Sequence, residues 1–88
     1  FAPRFARDYR KLPPKEQEAV DSAIETLLKY LDRETDLPPG LELKRLVSHY
    51  WEIRTSLKTR ILFEFKDLLG FLLLGSHDEV RRFIKGVS

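Results

Sequence analysis

The sequence predicts an α+β domain: an N-terminal α-hairpin packed on an antiparallel β-sheet of 3-4 strands, followed by a short C-terminal helix. Two observations carry this expectation. Apolar residues recur with a helical period up to about Arg33 and with a period of two after Gly40. Pro13-Pro14 and Pro38-Pro39-Gly40 fall where one element has to stop and the next begin. A chain of 88 residues has room for one hydrophobic core, so 1-88 is read as a single domain.

Pro3 suits the first turn of a helix, where its missing N–H is no loss. Phe5, Tyr9 and Leu12 then follow on one stripe, with Arg4, Arg7, Arg10 and Lys11 mostly off it. Pro13-Pro14 ends this helix and starts a second, expected from about Pro14 to about Arg33, whose early Glu16 and Glu18 complement the helix dipole. Val20, Ala23, Ile24, Leu27, Leu28 and Leu31 form its apolar face, and Glu18, Asp21, Ser22, Glu25 and Lys29 the other. Thr35 to Gly40 is a loop by composition.

Beyond the loop, Trp51, Ile53, Thr55 and Leu57 alternate with Glu52, Arg54 and Ser56. Ile61, Phe63 and Phe65 likewise alternate with Arg60, Leu62, Glu64 and Lys66. Such alternation marks half-buried antiparallel strands with their apolar faces on the helices. Ser56 to Thr59 connects the two strands, and Lys66-Asp67 opens the next turn. Leu68 to Leu74 is apolar except at Gly70, as expected of a central strand, with Leu72 or Leu74 beneath the polar face. Gly75-Ser76 ends that strand. Asp78 to Lys85 reads as a short helix with Val80, Phe83 and Ile84 inward and Arg81, Arg82 and Lys85 outward.

A hydrophobic content of 42% with six Phe, three Tyr and one Trp argues for a packed core and against a disordered chain. The lack of cysteine excludes disulfides and thiolate metal sites, and fits a reducing compartment such as the cytoplasm. Two distant histidines without clustered carboxylates make no metal ligand set, so neither metal nor other cofactor is expected. No apolar run approaches the roughly 18 residues of a membrane span, and no membrane partner is expected. Because the sequence contains no methionine, it is expected to begin after the natural start, with most of a first strand preceding Phe1. Charge is divided along the chain. Residues 1–12 carry four basic side chains against Asp8, residues 13–41 three basic against seven acidic, and residues 42–88 nine basic against six acidic. A polyanion on one surface and a different partner on another would suit this division.

Cutting RNA requires cations where the phosphate gains charge, a base for the 2′-hydroxyl and an acid for the leaving oxygen. Arg54 and Arg60 fall on the polar faces of neighbouring strands, within reach of one phosphate, and a guanidinium binds phosphate through two N–H groups at once. The plainer alternative pairs Glu52 with Arg54 and Arg60 with Glu64 as ordinary surface charges. His77 follows a strand and a Gly-Ser turn, and an imidazole exchanges protons near neutrality. A histidine in that place serves equally as a helix cap or a surface residue. His49, just before the first clear strand, has the weaker case. Tyr50, on the polar side, is positioned to stack on a base, whereas Trp51 belongs with the core. Phe83 stands between packing the last helix and closing a base pocket. The sequence has no P-loop, no GxGxxG and no serine-nucleophile elbow.

The order LK…YWEIR…RILF…LLLGSHDEV, after the opening FAPRFARDYRKLP, resembles the RelE/ParE superfamily of bacterial toxins. The resemblance covers almost the whole chain and lacks only the family's first strand. It implies an α-hairpin on a twisted antiparallel sheet and a cognate antitoxin that neutralises the toxin. For RelE-like members it also implies mRNA cleavage in the ribosomal A site without a metal, by attack of the 2′-hydroxyl on the adjacent phosphate. ParE-like members share the fold and poison DNA gyrase. Position by position, the resemblance makes Arg60 the cation that stabilises the transition-state phosphate, Arg54 the cation of the preceding strand, and Lys44 the basic residue of the LK motif. Glu52 stands where RelE proper has a further cation, and would act as a base there. The GSHDEV turn resembles the GTH turn of YafQ-type toxins, which makes His77 an acid/base and Phe83 the aromatic that follows. An upstream histidine of that pattern is absent, with Leu41 near its place.

The expected function is therefore that of the toxin of a type II toxin–antitoxin system, a ribosome-dependent mRNA endoribonuclease that blocks translation. His77, Arg60, Arg54 and Glu52 are its expected catalytic residues. Lys44, Tyr50, Lys58, Arg81, Arg82 and Phe83 are expected to hold mRNA and ribosomal RNA. The expected partners are the antitoxin, the ribosome and mRNA. The alternatives are a DNA gyrase inhibitor without nuclease activity and a non-toxic homologue that still binds an antitoxin.

Overall fold

In the computed structural model, which describes residues 2–32 and 42–87, the prolines set the helix starts. Helix α1 (Pro3–Arg10) and helix α2 (Pro14–Leu31) each open on a proline, where the absent N–H would have had no intrahelical partner. Four strands follow, β1 (Glu42–Arg45), β2 (Tyr50–Arg54), β3 (Arg60–Phe65) and β4 (Leu69–Gly75), and then helix α3 (His77–Val87). The strands pair antiparallel in chain order, β1-β2-β3-β4, giving the expected α+β architecture with the fuller count of strands. Arg33, the Thr35–Gly40 loop and Leu41 lie outside the described residues. No helix among those residues is long and apolar enough to cross a membrane.

Helices α1 and α2 cover one face of the sheet. Phe5, Val20, Ala23 and Leu27 meet Ile53, Ile61, Phe63, Phe71 and Leu74, with Tyr9, Leu12, Leu43 and Trp51 packed around them. Helix α3 covers part of the other face, where Val80, Phe83 and Ile84 pack with Leu46, Tyr50, Leu62, Leu72 and Leu73. Leu28, expected to face inward, is 44% exposed. The face buried by α2 is centred on Val20, Ala23 and Leu27, and Leu28 lies on its solvent border.

Strand β4 corrects the expectation of a central strand. It stands at the end of the strand order, and it is apolar throughout because helices lie over both of its faces. The register slips between Leu62 and Phe63: Leu62 pairs with Leu73 and Phe63 with Phe71, so Leu72 has no partner. This bulge leaves Leu72 and Leu73 together on the α3 side and returns Leu74 to the α-hairpin side. Leu68, expected to open the strand, lies instead in the preceding turn and is 84% exposed. The open side of β4 is partly closed by α1. The Ala2 N–H donates to the Phe71 carbonyl at 2.9 Å, and the Leu74 N–H donates to Asp8 Oδ2 at 3.4 Å. Arg4 and Arg7 each approach the Asp8 carboxylate at 3.7 Å. Pairing an end strand in this way removes a template for aggregation.

Two local devices fix the helices. The Tyr9 hydroxyl meets both Asp21 carboxylate oxygens at 2.9 and 3.0 Å, and Gln17 Nε2 donates to the Tyr9 carbonyl at 2.9 Å, tying α1 to α2. At the start of α3, the Glu79 N–H donates to Ser76 Oγ at 3.2 Å and the Ser76 N–H donates to Glu79 Oε1 at 3.1 Å. This reciprocal capping box satisfies two donors that the helix and its entry otherwise leave orphaned. It also fits closely over Gly75, where a Cβ would lie 3.0 to 3.1 Å from Glu79 side-chain atoms and would make that side chain shift by a few tenths of an ångström.

Ser76→Ala is expected to lower the unfolding free energy by about 1 kcal/mol, a fall in Tm of roughly 4–8 °C for a domain of this size, measured by thermal and urea denaturation. The bond to Asp21, with smaller help from burial and from the Asp21 charge, raises the Tyr9 pKa above its ordinary 10.0. The neutral phenol is thus favoured in the folded state, and its contribution is complete below pH 10.0 and lost as pH rises through the raised value. Melting curves from pH 9 upward are expected to show a steeper alkaline loss for the wild type than for Tyr9→Phe.

Candidate nucleic-acid interface

The α3-side face of the sheet carries its charge in rows set by the strand register. Arg54 of β2 lies directly opposite Arg60 of β3, and Arg60 lies opposite Gly75 of β4, two residues before His77. Directly opposed side chains on one face have Cβ atoms about 4.5–5.5 Å apart, and like charges so placed repel. Each arginine has a carboxylate beside it. Arg54 Nη1 lies 3.4 Å from Glu42 Oε2, and its Nε–H donates to the Ser56 carbonyl at 3.3 Å. Arg60 Nε lies 3.5 Å from Glu52 Oε2. The expected alternative pairs, Glu52 with Arg54 and Arg60 with Glu64, are therefore not those formed, since diagonal and outer-strand neighbours take their place.

Glu52 is the unusual member of the set. The residue is only 7% exposed, and Oε2 is buried without a hydrogen bond although the Arg60 guanidinium is near enough for an ion pair. A buried carboxylate is costly unless its oxygens are satisfied. Its cross-strand neighbour on β1 is Lys44, and both line an open groove of about 930 Å³ between the sheet and α3. His77, Arg81, Arg82 and Lys85 stand on the helix side of this groove, with Leu46, Val80 and Ile84 supplying its apolar lining. Spacings of three and four residues bring the α3 members to one side of the helix.

The fold thus brings Lys44, Glu52, His77, Arg81 and Arg82 to one groove and sets Arg54 and Arg60 in a row beside it. The other expected RNA contacts lie elsewhere. Lys58 is exposed in the turn between β2 and β3, where its N–H donates to Ser56 Oγ at 3.3 Å. Tyr50 has its ring stacked on His49 at 4.5 Å and meets the edge of Phe83 at 6.1 Å. Phe83 is half-buried in the α3 cluster. His77 is exposed as the first residue of α3, and the capping role falls to Ser76. The sequence offered two signals that identify parts of this surface: Ser76-x-x-Glu79 marks the helix start, and the 77/81/85 spacing marks the groove side of α3. Among the described residues no three His, Asp or Glu side chains converge as a metal site.

No protein-family model matches the chain, and neither does any curated protein. Among solved structures, a chain of the crystal structure of the RelB-RelE antitoxin-toxin complex from Methanococcus jannaschii superposes with a TM-score of 0.68, at 19% identity over 94% of this chain and 95% of that one. At that identity the likeness is one of fold: this chain has the architecture of a component of an antitoxin–toxin complex.

Proposed function

We propose that this protein is the toxin of a type II toxin–antitoxin pair and that it cuts mRNA on the ribosome. The observation that carries the reading is the opposed Arg54–Arg60 pair, two cations side by side on one sheet face whose carboxylate partners stand 3.4 and 3.5 Å away. A scissile phosphate placed there would be held by both guanidinium groups. Glu52 takes the proton of the neighbouring 2′-hydroxyl, the 2′-oxygen attacks phosphorus, and His77 donates a proton to the departing 5′-oxygen. The products are a 2′,3′-cyclic phosphate and a 5′-hydroxyl, so protons and bonds balance. The buried carboxylate lacking a hydrogen-bond partner supports the role of Glu52, and its groove supports the nearness of His77.

Lys44, Arg81 and Arg82 hold flanking phosphates in this scheme, and Lys58 reaches ribosomal RNA from its turn. The ribosome supplies most of the substrate's orientation. The cationic rim and apolar lining of the groove also suit an acidic, amphipathic segment of an antitoxin, which would block the site by occupying it. Likeness in fold to a component of an antitoxin–toxin complex supports that partner.

In a reconstituted translation reaction mapped by primer extension, discrete cuts that vanish without ribosomes are expected. Arg60→Ala is expected to slow cleavage by roughly 10²–10³-fold, and His77→Ala by roughly 10²–10⁴-fold. Intact mRNA with undisturbed translation overturns the reading, and inhibition of supercoiling by purified gyrase in the same preparation would replace it with gyrase poisoning. For a short single-stranded RNA, replacing Arg81 and Arg82 together by Gln is expected to reduce the slope of log affinity against log salt by about 0.7 per lost phosphate contact.

A further inference from the structure

Outside the proposed cleavage site, one cluster on the same sheet face is built with unusual care. His49 lies between β1 and β2 with both ring nitrogens occupied: Nε2 is 3.2 Å from Glu64 Oε2, and Nδ1 is 3.0 Å from Ser48 Oγ. In the neutral ring, Nε2–H donates to the carboxylate and the Ser48 hydroxyl donates to Nδ1. The ring is stacked on Tyr50 with 4.5 Å between centroids and 28° between planes. Tyr50 is in turn braced by the edge of Phe83 at 6.1 Å. Ser48 has φ of 57°, the left-handed region where a glycine would sit without strain. The Tyr50 N–H closes the turn on the Val47 carbonyl at 3.1 Å, and Arg45 Nε–H donates to the Ser48 carbonyl at 3.1 Å.

With both nitrogens held by neighbours, this imidazole is fixed in orientation. Its remaining resource is the ring face turned away from Tyr50, and the His49 side chain is 32% exposed. We propose that His49 is a stacking shelf for an unpaired nucleobase of single-stranded RNA, with Ser48 and Glu64 as positioning residues and Tyr50 as its backing. Aromatic faces fixed on a sheet hold single-stranded bases in this way. The inference rests on the proposed RNA reading and adds a base subsite to it. Tyr50, Glu52 and Arg54 are alternate residues on one face of β2. At about 3.4 Å rise per residue, the shelf end of the strand lies roughly 7 Å from Glu52. A strand with its phosphate between Arg54 and Arg60 therefore passes a nearby base over His49.

The test uses the whole protein and a short single-stranded RNA carrying one 2-aminopurine, at low ionic strength, with anisotropy reporting binding and 2-aminopurine emission reporting stacking. The wild type is expected to bind and quench. His49→Ala is expected to bind roughly 5- to 150-fold more weakly, the equivalent of one lost stacked base, and to lose the quenching when saturated. His49→Phe keeps a flat face and is expected to restore quenching. Ser48→Gly relieves the turn, so its Tm is expected to rise while quenching falls, a combination that a merely structural role does not produce. Wild-type quenching by His49→Ala, or normal anisotropy without quenching in the wild type, overturns the shelf alone. RNA that is bound and stacked but left uncut in the translation reaction overturns the nuclease and leaves the shelf standing. Absence of any RNA binding by the wild type overturns both.

Discussion

The structure depends on burial of three consecutive residues in β3. Ile61 and Leu62 have no exposed surface and Phe63 only 2%. Successive strand residues point to opposite faces, so a run buried in this way requires a covering layer on each side of the sheet. The α-hairpin supplies one layer and α3 the other. A two-layer arrangement would have exposed Leu62 and Leu73. The third layer is short, however, and α3 packs mainly on β3 and β4, meeting the β1–β2 side at Leu46 and Tyr50. The β1–β2 half, with Lys44 and Glu52, is left as the wall of an open groove. The charged groove therefore results from a core requirement that one short helix meets only in part.

Polar residues take their pairings from the same geometry. Register puts Arg54 between Arg60 and Glu42, its direct partners on the two neighbouring strands, while Glu52 meets Arg60 diagonally beneath the groove. None of these ion pairs is both short and fully enclosed. The distances of 3.4 and 3.5 Å leave the guanidinium groups imperfectly matched, a state that favours exchange of a protein carboxylate for a better-fitting oxyanion. Glu52 has the opposite imbalance, since it is an acceptor enclosed without a full set of donors.

Much of the fold was legible in the sequence because its signals were local. Pro3 and Pro14 mark helix starts, and the change of period after Gly40 marks the sheet. The place of β4 was not legible because an apolar run records that both faces are covered and says nothing of where the strand stands in the pairing order. The candidate site was less legible. Composition and alternation put Arg54, Arg60 and Glu52 on one face, but which carboxylate meets which arginine depends on register. His49 looked unpromising beside its sequence neighbours because Glu64, which orients it, is fifteen residues away and becomes a neighbour only when β2 pairs with β3. Tyr50, read as a free stacking surface, turned out to be the backing of another ring.

The bulge at Leu72 has a consequence for how β4 finds its place. Phe71 to Leu74 would be as apolar in the shifted phase as in the observed one, so burial alone leaves the strand nearly degenerate between two settings. The asymmetry comes from its two glycines. Gly70 lies against the Glu64 side chain at ordinary contact distance, whereas Gly75 lies tightly under Glu79, where a Cβ would come within 3.0 to 3.1 Å. A one-residue slide would put Leu69 and Leu74 at these places in one direction, and Phe71 and Ser76 in the other. The tight fit at Gly75 thus favours the observed alignment, in which no side chain crowds the Glu79 stem of the capping box.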